Sequence, residues 1–254
     1  TGTGGTTKPP AAVAMGDSFI SGEGGRWQGN VANDPLSGTG GTDLGAGVYT
    51  DPAGSICHRS SSSEIQSSTL PGIQVRINLA CSGATTADIR SAHQSTGGTV
   101  VATQLDQLRG ELAVYDVQLI VLSIGGNDLK FAQIIKDCAN TYVMHSRDYP
   151  MYCNRDKNLE VVGQISTAMA NVRLTIQDIQ QVMTAAGKAP GTYRFMLQSY
   201  PAPLPAGSDF RWAEASPIDP LIGIFGGPAA IALLGAASFP ARLSPGRCPV
   251  WDAD

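Results

Sequence analysis

Three short turns in this chain carry residues suited to acyl chemistry. They are Gly16-Asp17-Ser18, Cys81-Ser82-Gly83 and Gly125-Gly126-Asn127-Asp128. A serine hydroxyl such as that of Ser18 attacks an acyl carbon and leaves a negative oxygen behind. That oxyanion needs donors, and the backbone N–H groups of Ser18 and Gly83 with the Asn127 side-chain amide supply three. Each such donor is typically worth roughly 100- to 1,000-fold in rate. Gly-Asp-Ser by itself is also ordinary turn chemistry. The weight lies in three such turns, each following an apolar run.

Those runs read as strands. Residues 11–15 are uniformly apolar and stop at a glycine able to turn tightly. Residues 74–80 place Val75, Ile77 and Leu79 at period two. Residues 117–124 are almost all apolar, as in a strand buried on both faces. Residues 193–199 form a fourth strand, broken by Pro201. Helical signals lie between them. Residues 62–69 predict a short helix, and Thr85 or Thr86 caps another through Ile89. A polar Ser-Thr-Gly-Gly link at 95–98 precedes a face of Val101, Leu105, Leu108 and Leu112. Residues 129–138 continue as helix, and 139–157 read as an irregular loop bracketed by Cys138 and Cys153. Leu159, Val162, Ile165, Met169, Val172, Ile176, Ile179 and Val182 mark one long helix that Gly187 ends. Strands alternating with helices predict a three-layer α/β/α fold. Its central parallel sheet has at least four strands, in a single domain over residues 1–254. In such a sheet the carboxyl ends of the strands gather on one edge, which brings the three turns together.

The bulk composition narrows the function classes. The 254 residues carry a net charge of -4 with 15 % charged residues, and no basic stripe suggests a nucleic-acid partner. The five cysteines, Cys57, Cys81, Cys138, Cys153 and Cys248, match no zinc spacing. Disulfides, and with them an oxidising extracellular compartment, are the expectation; the odd count leaves one without a partner. The polar opening Thr1-Gly2-Thr3-Gly4 fits a mature secreted chain whose signal has been removed. Residues 21–55 form a long polar loop. The apolar stretch 218–243 is broken by Pro220, Pro228, Pro240 and Gly226-Gly227. It reads as a lid or pocket lining, or as plain core, rather than as a membrane span.

The three blocks, in this order, resemble the SGNH (GDSL) family of serine hydrolases, and in look its secreted actinobacterial esterases, lipases and phospholipases. Gly16-Asp17-Ser18 matches the first block, with Phe19 where leucine is usual. Gly83 matches the glycine block and Gly125-Gly126-Asn127-Asp128 the asparagine block. Cys57-His58-Arg59-Ser60 and Ala80-Cys81-Ser82-Gly83-Ala84 resemble two further family segments. The resemblance runs from Ala11 to about Pro203. It implies the flavodoxin-like SGNH fold and a carboxyl-ester hydrolase with Ser18 as nucleophile. Gly83 and Asn127, with the Ser18 N–H, would hold the oxyanion, and no metal or organic cofactor would be needed. It also implies disulfides Cys57–Cys81 and Cys138–Cys153, and a loop-holding role for Asp17 and Asp128. The expected partner is a small-molecule or lipid ester.

One family block is missing. The Asp-x-x-His segment that supplies the base does not occur, and the only histidines are His58, His93 and His145. His58 lies near the expected mouth of the site, His145 in the loop between Cys138 and Cys153, and His93 in a polar stretch facing solvent. A serine hydroxyl without a base is a poor nucleophile. The expectation is therefore a catalytic histidine on a missing or separate C-terminal segment, which if cleaved could stay linked through Cys248. His58 is the first substitute. The rival reading is an inactive SGNH-fold binding or interaction module.

Overall fold

A computed structural model describes residues 7–26, 44–51, 56–96, 98–144 and 151–201. Within these the chain runs β1 (Pro10–Gly16), α1 (Ser18–Ser21), α2 (Glu64–Ser67), β2 (Val75–Asn78), α3 (Thr86–Arg90), β3 (Gln94–Thr96) and β4 (Thr99–Val101). It continues with α4 (Gln104–Val114), β5 (Asp116–Ser123), α5 (Phe131–Met144), α6 (Asn154–Ala185) and β6 (Arg194–Leu197). His145, Cys248 and the apolar stretch 218–243 lie outside the described residues.

The chain divides into two compact units. The first comprises Thr1–Gln28, Asp43–Leu129 and Ser166–Tyr200. It holds a four-stranded parallel sheet in the order β2-β1-β5-β6. All four strands lie at the segments the sequence predicts as strands. Alanine-rich β1 is central, and Ala11 to Met15 are completely buried. One face of the sheet, through Val13, Met15, Ile120 and Leu122, packs with Leu105 and Leu108 of α4 and Ile179 and Met183 of α6. The opposite face, through Ala12 and Ala14, packs with Ile20 of α1 and Ile65 of α2, and Leu119 and Val121 join it. Helices on both faces give the expected three-layer α/β/α arrangement. The register between β1 and β5 shifts by one residue between Ala11 and Ala12. That bulge skips Gln118 and lets Val117 and Ile120 join the same core despite an odd spacing.

The second unit comprises Gly29–Thr42, Lys130–Ile165 and Pro201–Asp254. Its described part is α5 and the start of α6, joined by the disulfide Cys138–Cys153. Lys157 bridges Asp137 at 2.5 Å and Glu160 at 3.2 Å. Both expected disulfides form, the other being Cys57–Cys81. No described helix is long and apolar enough to cross a membrane.

Four local expectations are corrected. Residues 139–157 are not one irregular loop, because α5 continues to Met144 and α6 begins at Asn154. The cysteines joining these helices were misread as flanks of a loop. The link at 95–98 belongs to an antiparallel hairpin of β3 and β4, turned at Gly98 with φ +87°. Val101 therefore ends a strand, and α4 begins after Thr103, whose hydroxyl accepts the Asp106 N–H. The apolar stripe of α6 is buried at Val172, Ile179, Val182 and Met183, whereas Leu159, Val162, Ile165 and Met169 are exposed.

Candidate active site

The site is assembled at the carboxyl edge of the sheet by backbone bonds between strand ends. Cys81 N–H donates to the Gly16 carbonyl at 3.0 Å, placing the Ser82-Gly83 turn beside the Ser18 turn. Asp17 N–H donates to the Ser123 carbonyl at 3.3 Å, joining the same turn to the end of β5. The Asn127 amide then reaches across to the Ala84 carbonyl at 2.9 Å. All three predicted turns thus meet.

Ser18 is the first residue of α1 and is half-buried. Asp17 caps that helix by accepting the Phe19 N–H at 3.1 Å, which satisfies a donor the first turn would otherwise leave open. Gly22, with φ +83°, ends it one turn later. Gly16, with φ +140°, is irreplaceable for space as well: a Cβ there would stand 1.9 Å from the Ser123 carbonyl oxygen. Gly83 is exposed, and φ +75° requires glycine there although the space around it is open. Asp128 accepts the Thr86 N–H at 3.0 Å and also the Thr86 hydroxyl. Both aspartates therefore hold loop geometry, as expected. Burial raises the Asp17 carboxyl above its ordinary range, against hydrogen bonds from Tyr200 and Phe19; nearby Asp128 raises it further.

The two described histidines make other contacts. His58 Nδ1 lies 2.8 Å from Glu23, whose second oxygen accepts the Ser82 hydroxyl at 2.7 Å. Its ring stacks on Tyr49, with centroids 4.8 Å apart. His93 is exposed, as expected, with Nδ1 3.3 Å from the Val101 carbonyl. Among the described residues no group of three or more His, Cys, Asp or Glu is placed to hold a metal ion.

Three residues support the turns in ways the sequence reading did not foresee, although Arg59 lies in a segment it singled out. Gln104, buried at the start of α4, accepts the Gly16 N–H at 2.8 Å and donates to the Gly16 carbonyl at 2.7 Å. A glutamine beside Leu105 gives no sign of this in sequence. Arg59 donates to the carbonyls of Ala80 at 2.8 Å and Leu79 at 3.0 Å, holding the chain after β2. Tyr200 donates its hydroxyl to Asp17 and accepts the Gly126 N–H at 3.1 Å. Its position just beyond β6 was the available signal, because the other three strands of the sheet also carry site residues beyond their ends.

A four-stranded parallel sheet with helices on both faces and three polar turns meeting at its carboxyl edge defines a three-layer α/β protein. The sequence matches the model of the GDSL-like Lipase/Acylhydrolase family over residues 13–201, and the chain belongs to that family. A search of curated proteins returns no match. Among solved structures it is similar to phospholipase A1 from Streptomyces albidoflavus, with 22 % identity over 77 % of this chain and 61 % of that one and a TM-score of 0.39. It is also similar to an extracellular lipase from Streptomyces rimosus, with 20 % identity over 81 % and 66 % and a TM-score of 0.40. The chain spans less than two thirds of the length of either.

Proposed function

We propose that the chain is the nucleophile-bearing part of a secreted serine carboxyl-ester hydrolase of esterase or lipase type. The observation that carries this is the convergence of the three turns through the Cys81–Gly16, Asp17–Ser123 and Asn127–Ala84 bonds. The Ser18 oxygen forms a bond to the acyl carbon as its proton passes to a base. The N–H groups of Ser18 and Gly83 and the Asn127 amide hold the oxyanion. Collapse expels the alcohol, which takes the proton, and water then releases the acid from Ser18. The base is assigned to a histidine outside the described residues, on a C-terminal segment or a separate chain, because His58 is engaged with Glu23 and His93 faces solvent. Secretion is supported by the two disulfides. Family membership favours a lipid or other ester as substrate.

The test pairs fluorophosphonate labelling with hydrolysis of p-nitrophenyl acetate, butyrate and palmitate. Labelling at Ser18 that Ser18→Ala abolishes is the expected outcome. Hydrolysis should appear when the remaining segment is supplied. A folded chain that neither labels nor hydrolyses in its presence overturns the proposal. It would favour a binding module, the reading that the engagement of His58 supports.

A further inference from the structure

The hydroxyl of Tyr200 bonds to two of the three turns. It donates to the Asp17 carboxylate, on the residue before the proposed nucleophile, and accepts the backbone N–H of Gly126, on the residue before Asn127. Among the described residues no other side chain hydrogen-bonds to both of these turns. The ring packs closely where it meets the two turns. A Cβ on Gly126 would stand 3.2 Å from the Tyr200 ring carbon that carries the hydroxyl. Phe19 meets the same ring edge-on, with centroids 5.8 Å apart.

The chemistry of Asp17 explains why this bond carries weight. Asp17 is 2 % exposed. One carboxylate oxygen is satisfied by the Phe19 N–H, and the other takes the Tyr200 hydroxyl. A buried acceptor left open costs about 1–3 kcal/mol, and more when it is charged. The backbone bond linking the same two strand ends, Asp17 to Ser123, is long at 3.3 Å. Asp128, across the gap, repels Asp17.

We propose that Tyr200 is a positioning residue: by bonding Asp17 and Gly126 through one hydroxyl, it fixes the spacing between the Ser18 turn and the Asn127 turn. Its catalytic consequence rests on the hydrolase reading above; the geometric claim does not. Misplacing a reacting group by even 1 Å can cost about 100-fold in rate, so a clamp of this kind bears directly on reactivity.

Tyr200→Phe keeps the ring and its contact with Phe19 while deleting the hydroxyl. In the full 254-residue chain, amide exchange at Gly126 should accelerate by about tenfold. Fluorophosphonate labelling of Ser18 with the remaining segment supplied, corrected for folded fraction by circular dichroism, should slow by about tenfold or more. The acid limb of labelling against pH should move upward, because Asp17 loses a donor that lowers its pKa and keeps its burial and its neighbour Asp128. Gly126→Ala, whose Cβ would crowd the Tyr200 ring at 3.2 Å and its hydroxyl oxygen at 3.3 Å without altering the proposed oxyanion donors, should slow labelling as well. Unchanged exchange at Gly126 in Tyr200→Phe overturns the clamp. Faster exchange with unchanged labelling, or a labelling loss that merely tracks the folded fraction, overturns the positioning role. If the wild-type chain does not label even with the remaining segment supplied, the hydrolase reading falls and the exchange at Gly126 still decides the clamp.

Discussion

Two polar networks flank the Ser18 turn. One joins Asp17, Tyr200 and Gly126; the other joins Glu23, His58 and Ser82. In each a carboxylate is bonded at one oxygen to a hydroxyl, and each ties a segment near Ser18 to a neighbouring strand end. They differ in the burial of the carboxylate: Asp17 is 2 % exposed and the Glu23 side chain 33 %, while Tyr200 and the His58 side chain are each 39 % exposed. A bond that water can replace contributes little, while a buried one must be made or its groups stay unsatisfied. Similar connectivity therefore gives one network a carboxylate that must keep its partners and the other a carboxylate that water can serve.

The largest break comes at the root of the buried side. Gly16→Ala would push a Cβ to 1.9 Å from the Ser123 carbonyl oxygen and 2.8 Å from the Ile20 side chain, at φ +140°. The carbonyl belongs to β5 and cannot yield without parting the β1–β5 pairing. A loss of about 3 kcal/mol or more is expected, enough to leave a marginal domain largely unfolded. Urea denaturation followed by circular dichroism reads it. A midpoint equal to wild type would mean the strand ends are looser than the geometry requires.

The next prediction uses pH to separate the two networks. The Asp17 pKa is raised in the folded state, chiefly by burial. Above the ordinary aspartate value of about 3.9 the unfolded chain therefore ionises first. The folded state then binds more protons than the unfolded one, so this group lowers stability as pH rises through the interval between its unfolded and folded pKa. Below both values the contribution vanishes. Asp17→Asn keeps the size and can still accept the Phe19 N–H. Its stability relative to wild type should thus improve as pH is raised from about 3.5 to 7. Urea midpoints at several pH values in that range test this. A relative stability that falls with rising pH would show that the charged form is the one the fold favours.

How much of this was legible follows from where the signal resides. Central β1 announced itself by an unbroken apolar run, because burial on two faces leaves little choice of side chain, and β2 by the alternation of Val75, Ile77 and Leu79. The turns at Ser18, Gly83 and Asn127 were visible because each follows an apolar run, although any one of them alone is ordinary turn chemistry. The supports were harder to see. Gln104 looks like any polar helix-start residue, and only the fold reveals that its amide satisfies both backbone groups of Gly16. Tyr200 lies 74 residues from Gly126, and no local pattern links them. The bulge at Gln118 hid the fact that Val117 and Ile120 share a core. Conversely, Cys138 and Cys153 suggested a loop because a disulfide restrains two positions without specifying the structure between them.

The smallest effect is expected at the exposed network, and its smallness is the point. Glu23→Gln removes the charge that pairs with His58 but leaves an amide able to accept the Ser82 hydroxyl with its oxygen. Half-exposed groups recover their lost bonds from water, and exposed ion pairs are worth about 0–1 kcal/mol. Stability should change by no more than about 0.5 kcal/mol, with Ser18 labelling within about twofold of wild type. Because Glu23 holds Ser82, which precedes Gly83, a large loss of labelling at unchanged stability would place this network in the positioning apparatus. Burial would then have failed as the criterion, and the two networks would have to be ranked by their separation from Ser18. A small change in both readouts would leave the buried network as the one that sets the geometry of the edge.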